Sequence, residues 1–419
     1  MAEREIIVPQ SCILFATADW DEPYWTNKQH CAKSLAELGA QVLYVESVGL
    51  RSPKAGSAKD WGRLWKRLCK GLSSLISGAV ERSPGIFVLS PLLVPAGHRH
   101  PFTRSLNRWL LRASIARTAG QQHFRKPLVW TYHPFMLDAI EGMDTGALLY
   151  HCVDDLAAVP GMDAEAFRAA ERILLQRADV VFATSPSLAE HCRQHNANTH
   201  FLPNVVDAEH FGRALEPGPI PEDLAGIPEP RLCYHGVLSD FKIDFQLLID
   251  VARMKPEWSW VFIGEEREGQ KSPLMAELAR LPNVHFLGYK PYAELPDYLR
   301  GVRVGLLPSL INDYTRGMFP MKYYEYLAAG LPIAATPLDF THTHCAGLRT
   351  GLDVSEFAAV INDLLNGGRY SAEKVADLVA GCTWIERTLV MLSKLGGNKT
   401  GMRLSDAGAE CLDAALGQE

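Results

Sequence analysis

The sequence predicts two α/β domains in succession, each built on a parallel sheet, and three observations lead there. Short apolar runs of strand type alternate with stretches of helical apolar spacing along most of the chain. At 419 residues the chain is too long for one compact core. Between Asp207 and Arg231 the character changes to Glu-Pro-Gly-Pro-Ile-Pro-Glu-Asp and then Pro-Glu-Pro, a linker or an irregular connection that divides the series.

The elements follow in order. Ser11–Thr17 reads as a strand, Asn27–Leu38 as a helix closed by Gly39, and Gln41–Glu46 as the next strand. Strand, helix, strand with short connections is the parallel crossover unit. Ile86–Ser90, Leu128–Tyr132, Ala147–Cys152 and Val180–Thr184 repeat the strand pattern, and Ala164–Arg177 is one of the helices between them. After the Pro-dense stretch come strands Leu232–Tyr234, Trp260–Ile263, Val284–Leu287, Val304–Leu307 and Ile333–Thr336. Helices are expected at Phe245–Met254, Met275–Arg280, Leu295–Leu299 and Val354–Leu365. The simplest architecture is a Rossmann-like domain over residues 1–206 and a second over 207–380. A helical segment, 381–419, is then available to pack back on the first.

Composition narrows the class. The chain is 47% hydrophobic and 21% charged, as soluble globular proteins are. No apolar run approaches the roughly 18 residues of a membrane span, and the start Met-Ala-Glu-Arg-Glu lacks the layout of a secretory signal. Nine cysteines without a Cys-x-x-Cys pair fit reduced thiols, so a cytoplasmic location is expected. The net charge of −6 is uneven. Residues 51–126 hold fifteen Lys or Arg against Asp60 and Glu81, which leaves about −19 for the rest. Such a basic block needs a partner or a membrane.

The most informative stretch is Asn312–Thr336, which reads as loop, short helix, turn and buried strand. Pro320 suits a first helical position, and Gly330 a left-handed cap before Pro332. Lys322 and Glu325 then share a helix face near its N-terminal end. A lysine there attracts phosphate, and a carboxylate one turn on can accept two hydroxyl hydrogen bonds. Those fittings suit a nucleoside diphosphate with its ribose.

The run Pro320-Met-Lys-Tyr-Tyr-Glu-Tyr-Leu-Ala-Ala-Gly-Leu-Pro-Ile-Ala-Ala-Thr336 resembles the sugar-nucleotide signature of GT-B glycosyltransferases of the large group 1 family, and Asn312 and Thr315 match polar positions that accompany it. Tyr234-His-Gly-Val-Leu-Ser-Asp-Phe-Lys242 resembles the loop whose glycine, here Gly236, and basic residue, here Lys242, lie at the donor phosphates. Val284–Lys290, ending in Tyr289 and Lys290, resembles the loop around the nucleobase. Arg177–Pro186 and Leu202–Phe211 resemble the run that leads into the cleft. The resemblance implies an α/β GT-B fold, two Rossmann-like domains facing across a cleft, and transfer of a sugar from a nucleotide donor, most commonly UDP, without a metal or other cofactor. Polysaccharide or glycolipid synthesis is the implied setting. It also implies that Glu325 holds the ribose. The family's first glutamate, eight residues before this one, is replaced by Gly317.

A transferred sugar needs an acceptor, and an inverting reaction needs a base for its hydroxyl proton. Tyr150-His-Cys-Val-Asp-Asp155 puts Asp154 and Asp155 just beyond a strand's C-terminal end, where open α/β sheets place ligands. Asp154 is the first candidate and Asp155 the second, although one of the two is a natural N-cap for the next helix. His133, after Val-Trp-Thr-Tyr, is the rival, because histidine titrates near neutrality. The loop Asp19–His30 follows the first strand. Trp20, Tyr24 and Trp25 could stack on sugar rings there, with Asp19, Asn27 and His30 as hydroxyl partners, or the aromatics could pin the loop itself.

Lys59–Ile76 carries Trp61, Leu64, Trp65, Leu68 and Leu72 on one helical stripe with Lys and Arg around it, as a helix lying on an anionic membrane does. The basic residues continue at Arg99, Arg104, Arg108, Arg112 and Arg117. No nucleic-acid recognition module accompanies them. His342-x-His344-Cys345 and His191-Cys192-x-x-His195 lack a convincing further ligand, so no metal is expected. Two other readings use the same residues: a sugar-nucleotide epimerase, and a membrane-associated nucleotide-sugar-binding protein without turnover.

Overall fold

Alternating strands and helices wind into two parallel sheets, each in its own unit of the chain. The computed structural model describes residues 6–47, 78–92, 101–266, 272–344, 346–395 and 401–403. The first unit comprises residues 1–183, 188–202 and 385–419, and the second residues 184–187 and 203–384. The Trp61/Trp65 segment lies outside the described residues.

In the first unit β1 (Ile7–Pro9) pairs antiparallel with Gly401–Arg403. The main sheet holds β2 (Ser11–Phe15), β3 (Gln41–Val45), β4 (Val80–Ser83), β5 (Ile86–Leu89), β6 (Leu128–Thr131), β7 (Leu148–Cys152), β8 (Val180–Ala183) and β9 (Thr199–Phe201). Their order is β4-β5-β3-β2-β6-β7-β8-β9, all parallel except β4 at one edge. Helices α1 (Asn27–Glu37), α2 (Pro101–Gln121) and α3 (Ala164–Arg177) lie among the connections. The inner strands are apolar and buried throughout, as strands covered on both faces must be.

The second unit repeats the scheme with β10 (Arg231–His235), β11 (Ser259–Ile263), β12 (Val284–Gly288), β13 (Val304–Leu307), β14 (Ile333–Ala335) and β15 (Leu348–Thr350) in the order β12-β11-β10-β13-β14-β15, all parallel. Helices α4 (Phe245–Met254), α5 (Lys322–Ala328) and α6 (Val354–Gly367) accompany them. Strand order reverses between β10 and β13, as it does between β2 and β6 in the first sheet. Ligands of open parallel sheets bind beyond the carboxyl ends of the strands at such a point. Among the described residues the strands and helices placed one by one from the sequence are present, with ends agreeing to within about two residues, whereas the segment expected to be helical over 381–419 holds a helix at Trp384–Ser393 and a strand at Gly401–Arg403.

Beside β1 and its partner Gly401–Arg403, strands β4, β9 and β15 have no counterpart in the sequence pattern. Val-Glu-Arg-Ser is largely exposed and polar, and the other two are three-residue edges, too short to show a period. The Pro-dense stretch turns out to be the irregular connection rather than a loose linker. It carries short helices at Ala208–Gly212 and Glu222–Ala225, and the Arg300 guanidinium donates to the carbonyls of Arg213, Glu216 and Pro219 at 2.8 to 3.0 Å.

Aspartates start the main helices. Asp163, Asp244 and Asp353 each accept the N–H three residues on. Pro320 does not sit at N1 of α5: the helix begins at Lys322 behind Met321, because a tighter turn, Tyr323 N–H to Pro320 O at 3.1 Å, precedes it. The other end is a Schellman cap, with Gly330 N–H on Leu327 O and Leu331 N–H on Tyr326 O, both 2.9 Å, and Gly330 at φ 75°. A Cβ there would meet Leu215 Cδ2 at 2.5 Å and Tyr370 O at 3.2 Å. Gly330→Ala is therefore expected to cost roughly 1–3 kcal/mol, read as a lower thermal midpoint; an unchanged midpoint would remove the cap from the account.

Candidate active site

The carboxyl end of β10 carries the donor-side candidates. Tyr326, fully buried on α5, donates its hydroxyl to Cys233 O at 2.9 Å and receives the His235 N–H at 3.3 Å. This brings α5 against β10, with Lys322 and Glu325 beside Tyr234, His235 and Gly236. Lys322 Nζ stands 5.2 Å from the Tyr234 ring centroid. A Cβ on Gly236, at φ 113°, would be 2.7 Å from Lys322 Cε and 2.8 Å from Nζ. Glycine is required there to let the ammonium reach the turn. The Gly236 N–H is spent on Ile263 O at 2.8 Å, so the residue contributes space rather than a hydrogen bond.

Glu325 is 8% exposed, and burial pushes its carboxyl up to about 7, with Lys322 pulling the other way. His235 Nε2 lies 3.4 Å from Glu325 Oε2 without the alignment of a hydrogen bond. Burial first, and Lys322 second, hold that imidazole neutral. The grouping is a nearly enclosed carboxylate, a neutral histidine and an ammonium at the switch point of the sheet. The sequence signal for His235 is its place directly before the glycine.

The other donor-side residues frame this group. Asn312 accepts the N–H groups of Tyr314 and Thr315 at 3.0 Å, and its amide donates to Phe241 O at 2.8 Å. Thr315, fully buried, accepts the Asn312 N–H at 3.0 Å and donates to Leu310 O. Together they fasten the loop after β13 to the loop after β10, and Leu310 N–H on Lys242 O at 2.9 Å adds a further tie. Lys242 Nζ sits 5.2 Å from the Phe241 and Tyr314 ring centroids. Tyr289 follows the left-handed Gly288 at the end of β12. Lys290 is drawn aside, 2.6 Å from Asp223 and over the Tyr298 ring. Gly317 closes the short helix Asp313–Arg316 at φ −83°, a conformation open to any residue, so the turn does not demand its missing side chain.

In the first unit Asp155 caps Ala157 N–H at 3.1 Å and pairs with Arg168 at 2.5 Å. Arg168 also binds Glu171 at 3.0 Å, and Glu171 accepts the Tyr150 hydroxyl at 2.8 Å and lies 3.0 Å from His191. Asp155 is thus the capping member of the acidic pair, and Asp154 stands beside it at the end of β7 as a half-buried side chain. His133, 2% exposed, accepts the Phe135 N–H on Nδ1 at 3.2 Å, and burial lowers it to about 3. The proton of the neutral ring therefore sits on Nε2, and the lone pair on Nδ1 is taken up by Phe135, so neither nitrogen has a lone pair to offer a substrate hydroxyl.

The loop after β2 is held from below. The Trp20 N–H binds Glu46 at 2.8 Å, and its ring lies 5.1 Å from Tyr44 and 5.3 Å from Trp25. Asp19 O accepts from Gln29 at 3.0 Å, and Trp25 meets His30 edge-on at 5.4 Å. Trp20, Asn27 and His30 are buried, whereas Asp19 and Trp25 keep part of their surface. Asn27 Oδ1 accepts from Arg387 at 3.0 Å, and Arg387 also lies 2.7 Å from His151 Nε2. The segment from Ile385 thereby joins the first unit at the start of α1. Nothing local marks Arg387 in the sequence.

With this geometry, the two parallel sheets define a protein of the GT-B class. The family model Glycosyl transferase 4-like domain matches residues 29–204, and Glycosyl transferases group 1 matches residues 229–367. Between them they take in most of both units, and the chain belongs to the group 1 glycosyltransferases. A Bacillus subtilis (strain 168) protein assigned to teichuronic acid biosynthesis as a glycosyltransferase is 31% identical over 179 residues, 42% of this chain and 44% of that protein. The match spans less than half the length of that relative. Among solved structures, sucrose-phosphate synthase from Thermosynechococcus elongatus superposes with TM-score 0.65 at 16% identity, covering 91% of this chain and 97% of the other. Anabaena HepE in complex with UDP and glucose gives 0.57 at 16%, over 92% and 97%. A structure described as trehalose-6-phosphate from Escherichia coli bound with UDP-2-fluoro glucose gives 0.61 at 13%, over 92% and 98%. At these identities the likeness establishes the fold.

The raised Glu325 carboxyl has a signed consequence for stability. Folding retains a proton there that the unfolded chain releases above its ordinary 4.5. The contribution is complete below about pH 4.5, declines as pH rises, and is gone above about 7, a span worth up to about 3 kcal/mol. Unliganded Glu325→Gln should melt higher than wild type at pH 8, with a flatter pH dependence across that window. Matching slopes in the two proteins would assign the effect to another group.

Proposed function

We propose that this protein transfers a sugar from a nucleoside diphosphate donor, UDP-linked by preference, to a hydroxyl of a carbohydrate or lipid-linked acceptor in the synthesis of a cell-surface polysaccharide or glycolipid. The observation that carries the reading is the grouping of Lys322, Glu325 and Gly236 at the switch point of the second sheet, in a chain of the group 1 family. The teichuronic acid relative and the UDP complexes among the structural neighbours support the polymer setting and the base.

In this reading Glu325, ionised, accepts two ribose hydroxyls. Lys322 neutralises the diphosphate, whose charge grows as the bond from the anomeric carbon to the phosphate oxygen breaks. Gly236 keeps that approach open. Lys242 adds positive charge at the neighbouring loop, and Tyr289 borders the nucleobase. Asn312 and Thr315 hold the two loops in register, and Lys290 steadies the base-side loop through Asp223. No metal or other cofactor takes part.

Asp154 receives the proton of the attacking hydroxyl. Asp155 caps Ala157 and pairs with Arg168, and the neutral His133 ring accepts the Phe135 N–H, roles that belong to the fold of the loop. Asp19 and Trp25 meet the acceptor, while Trp20, Asn27 and His30 form the support beneath them. The protein works on the cytoplasmic face of an anionic membrane, a placement supported by the basic block of residues 51–126.

Donor binding by calorimetry and product analysis by NMR test this scheme with a panel of nucleotide sugars. Glu325→Ala should weaken donor binding at least about tenfold, and wild-type affinity should fall as pH drops below about 7 while the variant's stays flat. Unchanged donor affinity would sink the ribose role. Asp154→Asn should lower kcat by about 10²–10⁴ with donor affinity intact. Near-normal turnover, or a product that keeps the donor's anomeric configuration, removes Asp154 as base. Epimerised donor in place of transferred sugar, or binding without turnover, would replace the transferase reading.

A further inference from the structure

Helix α2 is built the wrong way round for the surface of a soluble protein. Its inward positions include Asn107, Ser114 and Thr118, each at most 8% exposed, beside Leu111 and Ile115. The buried hydroxyls are satisfied within the helix, Ser114 Oγ on Leu110 O at 2.9 Å and Thr118 Oγ1 on Ser114 O at 3.1 Å, so the polar inner face carries little cost. Its outward positions include Phe102, 80% exposed, and Trp109, 64% exposed. They are seven residues apart and so lie two turns along one face, and Ala113 and Ala116 continue the arc. Large aromatics so exposed are the informative exception on a soluble surface.

Charge says what covers this face. The helix Pro101–Gln121 contains no Asp or Glu. By helical position Arg108 and Arg112 flank the apolar arc on one side and Arg117 on the other. Arg108 and Arg117 are exposed. Arg112 is held on the flank by Ala139 O at 3.2 Å and by Glu141 O. A second copy docked face to face would set arginines against arginines. A layer of anionic headgroups over hydrocarbon meets both the charges and the aromatics. At 21 residues the helix is about 31 Å long. No described helix is long and apolar enough to cross a membrane, so the contact is one of lying on the surface.

We propose that the outward face of α2, centred on Phe102 and Trp109 and flanked by Arg108, Arg112 and Arg117, is the surface by which the first unit docks on an anionic lipid bilayer. The proposal rests on the membrane placement given above and supplies its contact residues within the described structure. Both aromatics enter the interfacial region, and the arginines face lipid phosphates.

Vesicle flotation tests it, with the full chain and phosphatidylglycerol-containing or purely phosphatidylcholine vesicles. Wild type should bind the anionic vesicles at least tenfold more tightly, and the preference should collapse at high salt. Phe102→Ser/Trp109→Ser should lose most of that binding while keeping wild-type donor affinity and thermal midpoint, since both side chains are exposed. Arg108→Gln should weaken binding to anionic vesicles alone. If wild type and the double variant float equally, this surface is wrong while the membrane placement stands; if wild type ignores both vesicles, both fall. A concentration-dependent dimer in sedimentation velocity that the double variant abolishes would assign the face to a second copy and overturn the proposal. Donor binding and sugar transfer are measured without lipid, so a failure there is a failure of the transferase reading alone.

Discussion

The hydroxyl of Tyr326 is the contact on which the second unit's site depends. It binds Cys233 O and the His235 N–H, one on each side of the same turn of backbone. Its ring occupies the space left by Gly305, where a Cβ would stand 2.5 Å away. One buried side chain thus fixes α5 against β10 and β13, the pair of strands at which the order reverses. Lys322 and Glu325 lie on the same short helix and are delivered to His235 and Gly236 because Tyr326 is where it is. The Schellman cap at Gly330 then turns the chain at once into β14.

That arrangement opposes stability at one point. Glu325 is enclosed with a neutral histidine and one ammonium, and burial outweighs the lysine in setting its proton affinity. A carboxylate serving the fold alone would be capped and paired, as Asp155 is by Ala157 N–H and Arg168. The contrast between these two acids is the physical argument on which the proposed ribose role of Glu325 rests. Asn312 and Thr315, whose hydrogen bonds close on the protein, belong to the loops that hold the group in place.

The first unit distributes its polar residues in a similar way. Arg387, from the end of the described chain, meets Asn27 and His151 in the interior, while Arg168 and Glu171 tie the loop after β7 to α3. Polar groups therefore brace the carboxyl edge of the sheet from behind. On α2 the distribution is inverted: polar residues go inward and aromatics outward. The sheet sets where chemistry is held, and this helix sets what the unit shows to its surroundings.

The sequence by itself determined the alternation of elements, because strands covered on both faces and amphipathic helices leave periods that a single chain displays. It also determined the stretch Asn312–Thr336, whose glycine cap, lysine and glutamate all lie within nine residues of one another. Edge strands β4, β9 and β15 were illegible, being short or polar, and so was the order in the Pro-dense stretch, which Arg300 imposes from 81 to 87 residues away. Only the tertiary structure made Asp155 a cap paired with Arg168, spent His133 on its neighbour, and set Lys290 against Asp223. It alone brought His235 to Glu325, 90 positions on, and Arg387 to Asn27 across 360. These are choices of partner between distant residues, and spacing along a chain carries no record of them.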